Sequence, residues 1–124
     1  MTRFVRAVFV LIGTLGLVDK APAVTPAAST ETCQTSPAAA CTDRGMMYFN
    51  GQGVTQDLVK AVEFFRQACD RKDALGCFDL GVAYDYGAGV PQSRDDARTF
   101  FRKACDLKYA IGCDRYAELT AGKP

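Results

Sequence analysis

The cysteines stand at 33, 41, 69, 77, 105 and 113, three pairs eight residues apart that recur every 36 residues. Two of the pairs sit in near-copies, "ACDRKDALGC" (68–77) and "ACDLKYAIGC" (104–113), inside stretches otherwise patterned as helix. A straight helix rises about 1.5 Å per residue and would hold such a pair about 12 Å apart. A disulfide favours Cα atoms about 5.5–6 Å apart. Either the cysteines do not pair or the chain reverses between them.

The repeat extends well beyond the cysteines. Shifting the chain by 36 aligns "CTDRGMMYFNGQGVTQDLVKAVEFFRQACD" (41–70) with "CFDLGVAYDYGAGVPQSRDDARTFFRKACD" (77–106). Gly45 meets Gly81, Tyr48 meets Tyr84, Ala61 meets Ala97, and "FFRQACD" meets "FFRKACD". A third copy opens near Tyr109 and stops within its first helix. A period in the thirties, two helices long, marks an α/α solenoid.

Within each copy the apolar residues follow helical spacing. Leu80, Gly81 and Tyr84, with Cys77 a turn earlier, share one face of the first segment. Closely spaced glycines, "GQGV" and "GAGV", end it. Asp57 and Ser93 are aligned N-cap candidates for the second segment, and Ser36 followed by Pro37 reads as a cap and first-turn proline. Ala97, Phe100, Phe101 and Ala104 then line one face, as do Ala61, Phe64, Phe65 and Ala68 in the first copy. These residues, with Tyr48 and Tyr84, read as the repeat core. Helices are predicted at 37–50, 57–70, 73–87, 93–106 and 109–120.

The charged "DRKD" between Cys69 and Cys77 is turn-compatible, so a helical hairpin can bring the pair together. Six cysteines allow fifteen connectivities, and the repeat favours 33–41, 69–77 and 105–113. Closing a nine-residue loop is worth about 2.6 kcal/mol in the chain-entropy model. The middle bridge is expected to matter most, because it joins the two complete copies. The first is expected to matter less, since Cys33 precedes the first helix and would tie down only a leader. A metal site is the competing use of the cysteines, but the chain has no histidine and no C-x-x-C.

The N-terminus reads as an export signal. Arg3 and Arg6 precede the apolar run "AVFVLIGTLGLV", and "APA" follows at 21–23. Residues 1–23 are therefore expected to be a signal peptide, 24–32 a loose leader, 33–120 the solenoid and 121–124 a tail. The alternative is an uncleaved anchor, for which the run is short. No lipobox precedes Cys33. Removing 1–23 takes Arg3, Arg6, Lys20 and Asp19 with it and leaves a nearly neutral domain, with no basic stripe for nucleic acid. An even cysteine count in an exported small domain points to disulfides and to a secreted or periplasmic location.

At this point the residues resemble a known family. Leu80, Gly81, Tyr84, Gly87, Gly89, Val90, Ala97, Phe100, Phe101 and Ala104 follow the pattern of the Sel-like repeat. Gly45, Tyr48, Gly51, Gly53, Val54, Asp57, Ala61, Phe64, Phe65 and Ala68 follow it in the first copy. The cysteines eight apart are similar to the secreted, cysteine-rich Hcp-type branch, whose resemblance implies disulfides between adjacent helices. It also implies an all-α, right-handed superhelix, here of about two and a half repeats. Arg44 departs from the pattern, which places leucine there, and is expected to leave the first helix more exposed.

Hcp-type proteins are often catalogued as β-lactamases, and the chemistry for that is missing. Ser29, Ser36 and Ser93 are followed three residues on by Thr32, Ala39 and Asp96, so no S-x-x-K exists. A cysteine nucleophile would have no histidine base. "GQG" and "GAG" follow no strand and precede no "GK[ST]", so they read as turns. No catalytic residue, cofactor or metal is expected. The function implied is a non-catalytic module that binds an envelope protein or peptide. The alternatives are a β-lactam- or cell-wall-peptide-binding protein with weak β-lactamase activity, and a redox protein using Cys69 and Cys77.

Overall fold

The computed structural model describes residues 33–122. The signal peptide and leader expected at 1–32, and the last two residues of the tail, lie outside them. Five helices follow in order: α1 Ala38–Asn50, α2 Leu58–Asp70, α3 Ala74–Tyr86, α4 Arg94–Asp106 and α5 Ala110–Ala121. Among the described residues there is no strand, and no helix is long and apolar enough to cross a membrane. Each helix packs on the next, and α1 also touches α3. The fold is the all-α repeat stack expected from the sequence.

Side chains set the pairing. In the first hairpin the Tyr48 ring stacks on Phe64, and a Cβ added to Gly45 would strike the Phe65 ring at 2.6 Å. Cys41 clusters further along with Ala68, so α1 and α2 run antiparallel. The second hairpin repeats this: Tyr84 stacks on Phe100, and a Cβ on Gly81 would meet Phe101 at 2.8 Å. Glycine at 45 and 81 is thus a close-approach residue, letting a phenylalanine ring lie directly on the helix backbone.

The loops inside the two hairpins match bond for bond. The Asp57 amide donates to the Tyr48 carbonyl at 2.9 Å, and the Ser93 amide to the Tyr84 carbonyl at 2.9 Å. Gln56 and Gln92 each donate a side-chain N–H back to the end of the preceding helix, at 2.8 Å. Asp57 and Ser93 cap α2 and α4 as predicted, accepting from the Lys60 and Asp96 amides. Ser36 does not cap α1. Pro37 takes the cap position and the Ser36 amide closes a turn onto Cys33, so α1 has no side-chain cap.

The cysteine spacing now has a structural cause. Cys69 lies in the last turn of α2. Beyond it the Lys72 amide bonds the Cys69 carbonyl and the Asp73 amide bonds the Ala68 carbonyl, with Lys72 left-handed at φ 72°. That is a Schellman turn, with lysine where glycine is usual. Asp73 then caps α3 by accepting from the Gly76 amide, which sets Cys77 in the first turn of α3. The Cα atoms end 4.4 Å apart. Lys108 at φ 77° builds the same turn after α4, leaving Cys105 and Cys113 4.5 Å apart. Cys33–Cys41 is the third bridge.

That bridge is better embedded than the sequence implied. Cys33 and Cys41 are both buried and cluster with Phe64 and Ala68. The Gln67 side chain accepts from the Cys33 amide, while Arg71 donates to the Cys33 and Ser36 carbonyls at 2.8 and 2.6 Å. Residues 33–36 are therefore part of the packed domain and not a free leader. The polar anchors responsible, Gln67 and Arg71, lie more than thirty residues downstream, out of reach of local pattern.

Candidate binding surface

The cysteines and repeat-core residues all fall at contacts between helices. Ala61, Phe64, Phe65, Leu80, Ala97 and Phe101 are buried, as is Gly81, while Tyr48, Tyr84 and Phe100 are half-buried. The Tyr84 hydroxyl reaches out to accept a hydrogen bond from Arg66. Cys105 and Cys113 are half-buried. Of this set, Phe65 lines a pocket on one face, and Cys69 and Cys77 line a second hollow.

That surface is made by the odd-numbered helices. On α3, Leu75, Asp79, Val82 and Tyr86 recur at i, i+4, i+7 and i+11 and so share one face. Leu75 and Tyr86 are 41% and 70% exposed. One period earlier α1 places Met46, with its side chain 37% exposed, in register with Val82. Between these helices lies a half-open pocket of about 260 Å³, lined by Met46, Phe49, Asn50, Phe65, Phe78, Asp79 and Val82.

One residue lining this pocket is out of keeping with the others. Asp79 Oδ2 is buried and has no hydrogen-bond partner among the described residues. Burial among aromatic and aliphatic groups pushes the Asp79 carboxyl up to about 7, and the neighbouring Asp73 carboxylate adds to the shift. Asp73 is itself committed: it caps α3 through the Gly76 amide and accepts from the Thr42 hydroxyl, tying α1 to α3. The residue one period after Asp79 is Arg115, whose guanidinium is held by Asp85 at 2.7 Å and Glu118 at 2.9 Å. The cation that the repeat could have offered is taken up elsewhere.

Sequence reasoning passed over Asp79 and the pocket. A signal was present: α3 is apolar on every side, so an aspartate midway along it, one residue before buried Leu80, is out of pattern. A second hollow of about 270 Å³ opens beside the Cys69–Cys77 bridge, among Asp70, Lys72, Lys103 and Asp106. Its charges are of both signs and face solvent, and it concentrates neither.

Comparison with known proteins agrees with this architecture. Three solved structures share the fold. Helicobacter pylori cysteine rich protein B is 34% identical over 66% of this chain, with a TM-score of 0.64. A Sel1 repeat protein from Oxalobacter formigenes is 25% identical over 65% of this chain and 61% of its own, at a TM-score of 0.63. The protective antigen c5321 of uropathogenic Escherichia coli, described as displaying an SLR fold, is 24% identical over 72% of this chain and 20% of its own, at 0.66. The chain spans 62% of the Helicobacter protein. No curated protein sequence gives a significant match. The Sel1 repeat profile matches residues 38–73 and 74–109, one complete hairpin and turn each. The chain belongs to the Sel1 repeat family.

Proposed function

We propose that this protein is a non-catalytic binding module of the cell envelope or extracellular space, gripping a peptide or protein segment on the α1/α3 face. The observation that carries it is the half-open apolar pocket between α1 and α3, with an unpartnered carboxyl in its wall. Pockets of this character, mostly apolar with a few placed polar groups, are where ligands are held. Leu75 and Tyr86 extend the apolar surface beyond the pocket. Stacked helix pairs offer such faces as pre-formed platforms, so little ordering entropy opposes binding.

The location rests on the bridges. Disulfides persist in oxidising compartments, and all six cysteines are paired. The sequence-based signal peptide supports the same placement.

The test is crosslinking of the oxidised protein to an envelope extract, run beside Val82→Glu and a control change on the opposite helix layer, Thr99→Glu. A partner lost with Val82→Glu and kept with Thr99→Glu is the expected result. Equal capture by both variants would remove the face from the function. Nitrocefin turnover above the buffer rate would overturn the non-catalytic assignment.

A further inference from the structure

The pocket between α1 and α3 has a definite chemical preference, which deepens the binding reading and rests on it. Its walls are Met46, Phe49, Phe65, Phe78 and Val82, and its polar members are Asn50 and the Asp79 carboxyl. No cationic side chain lines it, and the Asp79 carboxyl in its wall has a buried oxygen, Oδ2, with no hydrogen-bond partner among the described residues. A buried carboxyl without a partner is unfavourable, and a cation with its own donors relieves that. Neutral apolar ligands would fill the volume and leave the carboxyl as it is. An anion would meet a second acidic group, Asp73, behind the first.

We propose that this pocket takes the side chain of a lysine or arginine projecting from a polypeptide partner, with the aliphatic stem along Met46, Phe49, Phe78 and Val82 and the cationic head on Asp79. The match is one of shape and charge together. Basic side chains carry three or four methylenes of apolar stem before the charge, and they bury the stem readily. The pocket is half-open, so donors that Asp79 does not satisfy stay in water. Around it the exposed Leu75 and Tyr86 on α3 give apolar purchase to the residues flanking the inserted one. Specificity follows from the same asymmetry that makes the empty site unfavourable: a ligand lacking the cation leaves the buried carboxyl unpaired.

Protonation sharpens the expectation. A carboxyl that titrates near 7 must lose its proton to pair with a cation, so binding releases a proton below that pH. The other residues lining the pocket, Met46, Phe49, Asn50, Phe65, Phe78 and Val82, are not ionisable, and Asp73 is the charged neighbour acting on Asp79. The titration therefore belongs to Asp79.

The experiment uses the whole oxidised chain and two blocked pentapeptides, identical except for a central lysine or a central norleucine. Binding is followed by shifts of the Met46, Asp79 and Val82 backbone amides in NMR titrations. The lysine peptide should bind about tenfold tighter at pH 8, and Asp79→Asn should erase that preference. The preference should fall as pH is lowered through about 7, towards equal affinities once Asp79 is protonated. This last readout needs no variant and stands even if Asp79→Asn folds poorly. Equal affinities for the two peptides, shifts at other residues, or a pH-independent preference would each overturn the proposal. If partner capture is lost with Val82→Glu yet survives intact with Asp79→Asn, the basic-side-chain assignment fails alone and the binding face stands.

Discussion

Residues 38–73 and 74–109 place the same side chains at the same corners, yet the two repeats bury them differently. Phe64 and Phe100 stack on Tyr48 and Tyr84 with centroids 5.7 and 5.5 Å apart and rings within 9° of parallel. Phe64 is 1% exposed, while Phe100 is only half-buried. Around Phe64 lie the Cys33–Cys41 bridge and Ala68, with the Arg44 guanidinium above the ring at 5.9 Å. On Phe100 the cation above the ring is the Lys103 ammonium, at 5.1 Å. Going from the first repeat to the second, Arg44 becomes Leu80, and an exposed residue becomes one that is fully buried. Asp43, exposed, likewise becomes Asp79, half-buried. Hairpin-internal contacts repeat because they depend on the repeat alone. Burial at positions 43 and 44 differs from that at 79 and 80 because α3 has helices on both sides, whereas no described helix lies before α1, and a terminal repeat needs a polar outer face.

The widest separation between the repeats should come from truncating the paired phenylalanines. Phe64→Ala empties a fully enclosed site and is expected to cost about 3–5 kcal/mol. Phe100→Ala removes a ring that water already touches and should cost about 1–2 kcal/mol. Urea melts of both variants under non-reducing conditions measure the gap. Equal losses would show that the stacked tyrosine, common to both repeats, dominates over enclosure.

Next in size are the bridges. All three close loops of equal length, so the chain-entropy contribution is the same, about 2.6 kcal/mol each. Any ranking must come from the native surroundings. Replacing both cysteines of a pair by serine should cost about 3–4 kcal/mol at Cys69–Cys77 and at Cys33–Cys41, where the new hydroxyls are buried. The Cys105–Cys113 variant should lose about 1 kcal/mol less, since those positions are half-buried. Thermal melts of the three double variants give the order. A first bridge worth clearly less than the middle one would mean that Gln67 and Arg71 hold residues 33–36 without it.

How far the sequence could be read follows the same division. The helices, the hairpin loops, the caps at Asp57 and Ser93 and the core faces were legible because each is written twice, at fixed spacing, by local chemistry. The burial of Cys33 was not, because it depends on hydrogen bonds from Gln67 and Arg71 across the hairpin. Lys72 and Lys108 hid the turn type, since left-handed lysine carries no sequence signature. The pocket was missed for a further reason. Asp79 has an ordinary surface aspartate, Asp43, as its repeat partner, so the alignment that revealed everything else made it look unremarkable.

Asp79 also separates the repeats through pH. Its carboxyl is raised to about 7 in the folded chain from 3.8, so the folded state holds the proton more tightly than the unfolded one. Stability contributed by that proton is complete below about pH 4 and is lost as pH rises towards 7. Asp79→Asn should therefore match the parent at pH 4 and exceed it at pH 8 by about 2 kcal/mol, discounted from the full shift because the group is only half-buried. Melts at the two pH values decide it, and an Asp79→Asn gain present equally at pH 4 would place its cause outside ionisation.

The smallest difference lies at the helix starts. Asp57 Oδ1 accepts from the Lys60 amide at 2.9 Å, and Ser93 Oγ from the Asp96 amide at 3.2 Å. Removing either acceptor strands an amide hydrogen and costs about 1 kcal/mol. The electrostatics differ, however. The first turn of α2 contains no acidic residue, so Asp57 alone sets a negative charge against the helix dipole there. The first turn of α4 holds Asp95 and Asp96, which remain when Ser93 is cut back. Asp57→Ala should thus lose both a hydrogen bond and a charge–dipole attraction, Ser93→Ala the hydrogen bond only. The excess, about 0.5 kcal/mol, is electrostatic and must shrink with salt. Paired denaturation curves at low and high sodium chloride test this. If the excess persists undiminished at high salt, hydrogen-bond geometry accounts for it, and the two repeats are capped by one mechanism.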